Sequence, residues 1–370
     1  PRVIHVKADA PPGGDGLSWA TAIRSITEAQ TVMEIGDDIW VAAGRYHEKV
    51  IPRLGLNLYG GFAGTETDLS QRDWKANASI IDASGIDNEA LVCEERYVKV
   101  DGFTLYGDLD VWDCAPSISH CEFYPQGDVG GGGGYLLWCS PSITDCRFTN
   151  GVFIDWAQTS PVFTRCVFSN GLAQDSYETK GYGVYSYTEN LLGGNPEPGV
   201  RRFLGCEFTN CEGAGILIRS GSVILENCWI WKNQSSGIQA YVYKYFAERL
   251  LPLFYGDNCT WDYENRGFWY YRVEPFLIQS CLIVDNGEHG IDFELAMGKV
   301  INCTIANNKE AGIHHLRRSH GDYPDKMHPE FLIYPRISNC IIQEASPVQV
   351  REQYIRYIVR SGEEPGVCWA

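Results

Sequence analysis

Basic residues are scarce in this chain: 30 Lys and Arg stand against 47 Asp and Glu, a formal net charge of −17 over 370 residues. A surface of that sign repels phosphate backbones and anionic headgroups, which argues against nucleic acid or an anionic membrane as partner. No apolar run approaches the roughly 20 residues of a membrane-spanning helix, so membrane insertion is not expected. No Cys-x-x-Cys occurs among the 14 cysteines, which removes the usual cysteine-based zinc sites. No linker rich in Pro, Ser or charge interrupts the chain, and residues 1–370 are therefore expected to form one elongated domain. A signal-peptide pattern is absent as well.

What the chain does have is a repeat. Gly215-Ile216, Gly237-Ile238, Gly290-Ile291 and Gly312-Ile313 open four segments that superimpose without gaps, and Gly151-Val152 and Gly183-Val184 fit with Val in place of Ile. A second series, Cys121, Cys146, Cys166, Cys206, Cys228, Cys281, Cys303 and Cys340, runs between them, each cysteine followed two residues later by Phe or Ile. The shortest repeat is 22 residues, the spacing of Ile216 from Ile238, Ile291 from Ile313, Cys206 from Cys228 and Cys281 from Cys303. A period of this length, built from short β segments without a helical pattern, means a solenoid. Such a rung suits three short strands joined by turns and stacked in parallel ladders.

Asn150, Asn170, Asn210 and Asn307 sit four residues after their cysteines, with Asp285 in that place in another rung. Their common register suggests a ladder of side-chain amides from rung to rung, although asparagine also favours turns for its own sake. The eight cysteines in one register fit a buried ladder of small apolar thiols better than a set of bridges. Cys114 and Cys139 each precede a ladder cysteine by seven residues and should stack in adjacent rungs, as a second thiol ladder or as one disulfide. From Ser18 to about Glu34, Trp19, Ala22, Ile23, Ile26, Ala29 and Met33 lie on a helical stripe behind Ser18 as N-cap. A capping helix over about 18–34 would hide the first rung's edge.

In these repeats the chain resembles the right-handed parallel β-helix proteins of the pectin lyase-like superfamily. Its opening is similar to that group too, in Asp15-Gly16-Leu17-Ser18-Trp19-Ala20, in the run from Gly36 to Tyr46 and in Leu58-Tyr59-Gly60-Gly61-Phe62-Ala63-Gly64-Thr65-Glu66. The resemblance implies an all-β, right-handed parallel β-helix. It does not imply one activity, because the superfamily holds lyases, hydrolases, epimerases, esterases and inert adhesins. With the acidic, aromatic surface it implies a secreted or periplasmic location.

Alternation along each Gly-Ile strand sends the Ile inward, the next residue outward, the next inward and the fourth outward. The outward positions then read Phe153 and Asp155, Tyr185 and Tyr187, Leu217 and Arg219, Gln239 and Tyr241, Asp292 and Glu294, His314 and Leu316. Tyrosines, acids, arginine, glutamine and histidine in place of Thr and Ser suggest a carbohydrate groove. The long departures from the period, about 188–200, 242–275 and 317–335, all follow this strand and should wall the groove along one edge. The middle insertion is rich in rings, Trp269 among them, on which sugars could stack, although such rings can equally form the insertion's own core.

Asp292 and Glu294 are the candidate acid and base. Two apart on one strand, they leave the same face with Cα atoms about 6.5 Å apart, within rotamer reach of the separations used in glycoside hydrolysis. His314, one rung along from Asp292 at roughly 4.8 Å, joins them as a catalytic candidate. Asp155, Tyr185, Tyr187, Arg219, Gln239, Tyr241, Lys244, Trp269 and Arg317 are candidates to hold substrate. The bland reading of the two acids is a solvated patch or a calcium site.

Gly287-Glu288-His289-Gly290 resembles the Gly-His-Gly of polygalacturonase-like hydrolases, but no Asn-Thr-Asp or Asp-Asp pair accompanies it. No roles carry over, and His289 is read as a turn histidine. The expectation is a polysaccharide-degrading enzyme, hydrolysis ahead of β-elimination on a uronate, with no required cofactor and with calcium a candidate in the elimination scheme. A noncatalytic glycan-binding surface protein is the third reading, using the same aromatic groove without a working carboxylate pair.

Overall fold

The computed structural model describes residues 1–95, 97–125, 133–155, 158–171, 181–187, 199–219, 222–241, 276–294, 298–317, 336–343 and 350–354. Their strands form three parallel sheets of 12, 11 and 10 strands, each strand hydrogen-bonded to the equivalent strand of the next rung. This is a parallel β-helix. The predicted Gly-Ile strands make the third sheet: Val152–Asp155, Val184–Tyr187, Ile216–Arg219, Ile238–Tyr241, Ile291–Glu294 and Ile313–Arg317 are successive neighbours. Their register is the one that the repeat dictates, Ile216 opposite Ile238, Ile238 opposite Ile291 and Ile291 opposite Ile313.

Inward side chains stack in columns along the solenoid. Phe123, Phe148, Phe168 and Phe208 lie ring on ring, with centroids 4.8, 5.5 and 5.0 Å apart. Each such ring removes its whole apolar surface from water and gains offset-stacking energy besides. The cysteine column behaves as a thiol ladder: Cys206, Cys228, Cys281 and Cys303 each donate a weak hydrogen bond to the carbonyl two residues earlier. All twelve described cysteines are free. Cys114 and Cys139 therefore belong to a second ladder, Cys114 Sγ donating to the carbonyl of Cys93 at 3.1 Å, and not to a disulfide.

The amide ladder exists but lies one residue beyond the expected place. Asn150, Asn170, Asn210, Asp285 and Asn307 have φ of 74°, 55°, 56°, 57° and 58°, the left-handed turn conformation that Asn and Asp tolerate best. The ladder is Asn233, Asn286 and Asn308, all buried. Asn233 Nδ2 donates to Asn286 Oδ1 at 3.0 Å and Asn286 Nδ2 to Asn308 Oδ1 at 2.9 Å, while the Cys211 amide donates to Asn233 Oδ1. Close stacking follows at the next turn, where a Cβ on Gly290 would stand 2.6 Å from both the Gly312 carbonyl oxygen and Ile305 Cγ2.

The capping helix is shorter than predicted and broken in two. Ser18 caps a 3₁₀ turn at Trp19–Thr21, and Ser25 caps an α-helix at Ile26–Val32. Between them Ile23 is extended, bridging Val6 in parallel and exchanging backbone hydrogen bonds with His5 and Lys7. The unmet backbone of the first strand outweighs continued helix there. Ile26 and Ala29 still pack into the core over the first rungs. Among the described residues no helix is long and apolar enough to cross a membrane.

Candidate functional site

The outward positions of the third sheet line up as the alternation requires. Tyr185 pairs Leu217, Leu217 pairs Gln239, Gln239 pairs Asp292 and Asp292 pairs His314. Beside this column runs a second, Tyr187 to Arg219 to Tyr241 to Glu294 to Leu316. Parity in a strand decides which way a side chain leaves the sheet, and the register keeps equivalent positions opposite one another from rung to rung.

Two of the predicted catalytic residues meet. His314 Nδ1 and Asp292 Oδ1 are 2.8 Å apart, a charge-assisted hydrogen bond across one rung boundary. A third group joins them that the alternation does not reveal. The His289 ring stacks on His314 with centroids 4.4 Å apart at 23°, and its Nε2 lies 3.4 Å from Glu310 Oε2. Burial first, and then the neighbouring His314, hold the His289 imidazole below its ordinary pKa.

His289 belongs to the turn that precedes its strand, as expected, and its ring lies against His314. Hydrogen bonds from Gly183, Gly215, Gly237 and Gly290 place Ala214, Ser236, His289 and Ala311 at equivalent stations of successive rungs. A histidine in a column that otherwise holds Tyr182, Ala214, Ser236 and Ala311 is the sequence signal that could have found it.

The substrate-binding candidates divide. Arg219 Nη1 donates to the Tyr185 hydroxyl, and its guanidinium lies 5.4 Å from the Tyr187 ring centroid, close enough for cation–π attraction. Gln239, half-buried, donates to Ser235 Oγ at 3.3 Å, and Ser235 in turn donates to Glu288. An aromatic run, Tyr135, Phe153, Tyr185 and Tyr187, continues along the sheet with centroid spacings of 5.6, 5.1 and 6.0 Å. Asp155, Tyr185 and Leu217 are buried, so this stretch of the face is not the open groove expected. Outward direction alone does not guarantee contact with solvent.

Glu294, Tyr241 and Arg317 are strand residues whose side chains lie outside the described residues, and Lys244 and Trp269 fall outside them altogether. The insertions at 188–198, 242–275 and 318–335 are outside them too.

Residues 201–321 match the family described as right handed beta helix region. No curated protein matches the chain in sequence. Among solved structures, the A-module of mannuronan C-5 epimerase AlgE4 from Azotobacter vinelandii is similar at 14% identity and a TM-score of 0.53, over 94% of this chain and 97% of that one. The periplasmic alginate epimerase AlgG shares 11% identity over 85% of this chain and 75% of its own, at a TM-score of 0.42. A rhamnogalacturonan lyase shares 11% over 92% and 87%, at 0.38. In fold, the chain is a right-handed parallel β-helix.

Proposed function

We propose that the protein is a carbohydrate-active enzyme, secreted or periplasmic, that works on a polysaccharide along the outward face of the third sheet. The observation that carries this reading is the 2.8 Å bond between His314 Nδ1 and Asp292 Oδ1 in the same column as Gln239. A carboxylate so placed fixes the imidazole ring and stabilises the imidazolium formed when the ring takes up a proton. The pair is therefore built as a general base.

Such a base suits removal of the proton on the carbon beside a uronate carboxylate. The reaction ends as β-elimination if the neighbouring glycosidic oxygen leaves, or as epimerisation if a proton returns from the other side. Arg219, two rungs from Asp292 and three, or roughly 14 Å, from His314 along the sheet, would hold the carboxylate of a neighbouring sugar of the bound chain and not that of the residue losing its proton, with Tyr185 holding the guanidinium. A module of like fold that bears the name mannuronan C-5 epimerase supports a polyuronate as substrate. Neither outcome requires a cofactor or calcium.

Hydrolysis, placed first by the sequence, becomes the second reading. It is favoured by Asp292 and Glu294 standing two apart on one strand, and opposed by His314 occupying one Asp292 oxygen. A panel of neutral and uronate polysaccharides, assayed with and without chelator for reducing ends and ultraviolet absorbance together, separates the schemes. Unsaturated products insensitive to chelator support elimination; reducing ends without absorbance support hydrolysis and defeat the first reading.

A further inference from the structure

We propose that His289, Asp292 and His314 bind a divalent transition-metal ion of the zinc type, and not calcium or magnesium. One nitrogen of each imidazole and one oxygen of the carboxylate lie within 4.8 Å of one another. Bonds of about 2.0–2.2 Å from zinc to His nitrogen and carboxylate oxygen in a tetrahedral site place neighbouring donors roughly 3.4 Å apart. His314 Nδ1 and Asp292 Oδ1, at 2.8 Å, need to part by only about 0.6 Å and give up their shared proton to reach that spacing. The third donor has only the remaining gap to close, which rotation of an imidazole ring about χ2 can do.

The second observation concerns His289. The residue is 7% exposed, and its buried Nδ1 has no hydrogen-bond partner among the described residues. A buried ring nitrogen left without a partner carries a desolvation penalty, and a group left so asks for an occupant. Its other nitrogen faces Glu310 at 3.4 Å, the carboxylate-to-histidine arrangement that orients a ligating imidazole and directs its free nitrogen to the metal. Tyr182, Ala214, Ser236 and Ala311 serve at the equivalent stations, so the station itself does not demand an imidazole. His314 is 9% exposed, so an ion here would be shielded from most of the solvent.

The donor set selects the metal. Two neutral imidazoles with one carboxylate suit zinc, nickel, copper or ferrous iron, whereas calcium and magnesium take oxygen donors. Three protein ligands also leave room for a water or a sugar hydroxyl. One consequence rests on the function proposed above: an ion held here occupies the Asp292 carboxylate and a His314 nitrogen, so the loaded protein loses its base and zinc inhibits turnover.

Full-length protein stripped with a chelator is to be titrated calorimetrically with zinc chloride and separately with calcium chloride, and with cobalt(II) followed by absorption. The expected result is one zinc per chain, no calcium heat, and a cobalt spectrum lacking a sulfur-to-metal charge-transfer band. His289→Ala and His289→Gln should each weaken zinc by more than the roughly 10- to 100-fold that loss of an outer-shell partner costs, with the unfolding midpoint in chelator retained by at least the Gln variant. Absence of zinc binding, a sulfur band, or affinity unchanged in both variants overturns the proposal. None of these readouts uses a substrate, so failure here is distinct from failure of the enzymatic reading.

Discussion

His314 Nδ1 and Asp292 Oδ1 meet at 2.8 Å because their strands pair in register one rung apart, so that two side chains 22 residues apart in sequence face each other directly. Residues that act through one hydrogen bond are not additive when removed. Asp292→Asn and His314→Gln should each lower turnover by about 10²–10⁴-fold, and the double variant should be scarcely slower than the worse single one. Initial rates on the substrate found in the panel, with unfolding midpoints as control, check this. Additive losses would mean that the two residues act separately.

Asn286 is the middle of the amide ladder, accepting from Asn233 and donating to Asn308. Asn286→Ala removes the oxygen that accepts from both the backbone N–H and the side chain of buried Asn233, leaving Asn233 only the Phe208 carbonyl as side-chain acceptor, and should cost about 2–3 kcal/mol of stability. Urea denaturation is the measurement. The loss should exceed that of Asn150→Ala, since Asn150 holds a turn and stands outside the Asn233–Asn286–Asn308 ladder.

Much of the fold was legible because period and parity are geometric. Glycine before Ile216, Ile238, Ile291 and Ile313 marks the rung, and alternation then assigns each following side chain to a face. The ladder was misplaced by one residue because a turn holds two polar positions, one strained into positive φ and one directed inward, and both favour asparagine. The apolar spacing of Ile23 fits a helix, while the open edge of Val3–Val6 that claims it lies elsewhere in the sequence. The place of His289 is hidden for a related reason: it precedes the strand, so strand parity says nothing about where its ring goes. The burial of Asp155 and Leu217 on an outward face depends on what lies over them, which no local pattern records.

Asp108 gives a pH prediction. Burial, then the charges of Glu89 and Asp110, push its carboxyl from the ordinary 3.8 up to about 8; the residue is 6% exposed and its buried Oδ1 has no hydrogen-bond partner among the described residues. Between those two values the folded chain keeps a proton that the unfolded chain has released. The Asp108 contribution to stability therefore falls as pH rises from about 4 to about 8. Asp108→Asn removes the titration, so the variant's stability relative to the parent should climb through that window and level off above it. Urea midpoints of both proteins across the window test this, and a pH-independent difference would contradict it.

The central claim is that His314, held by Asp292, removes a proton from carbon. Wild-type protein and His314→Gln incubated in heavy water with uronate polysaccharides, the products read by proton nuclear magnetic resonance, test it most directly. The account predicts unsaturated ends, or deuterium at the carbon beside the carboxylate, from the wild type and their loss in the variant. New reducing ends with neither signature, or deuterium incorporation that survives in His314→Gln, would contradict it.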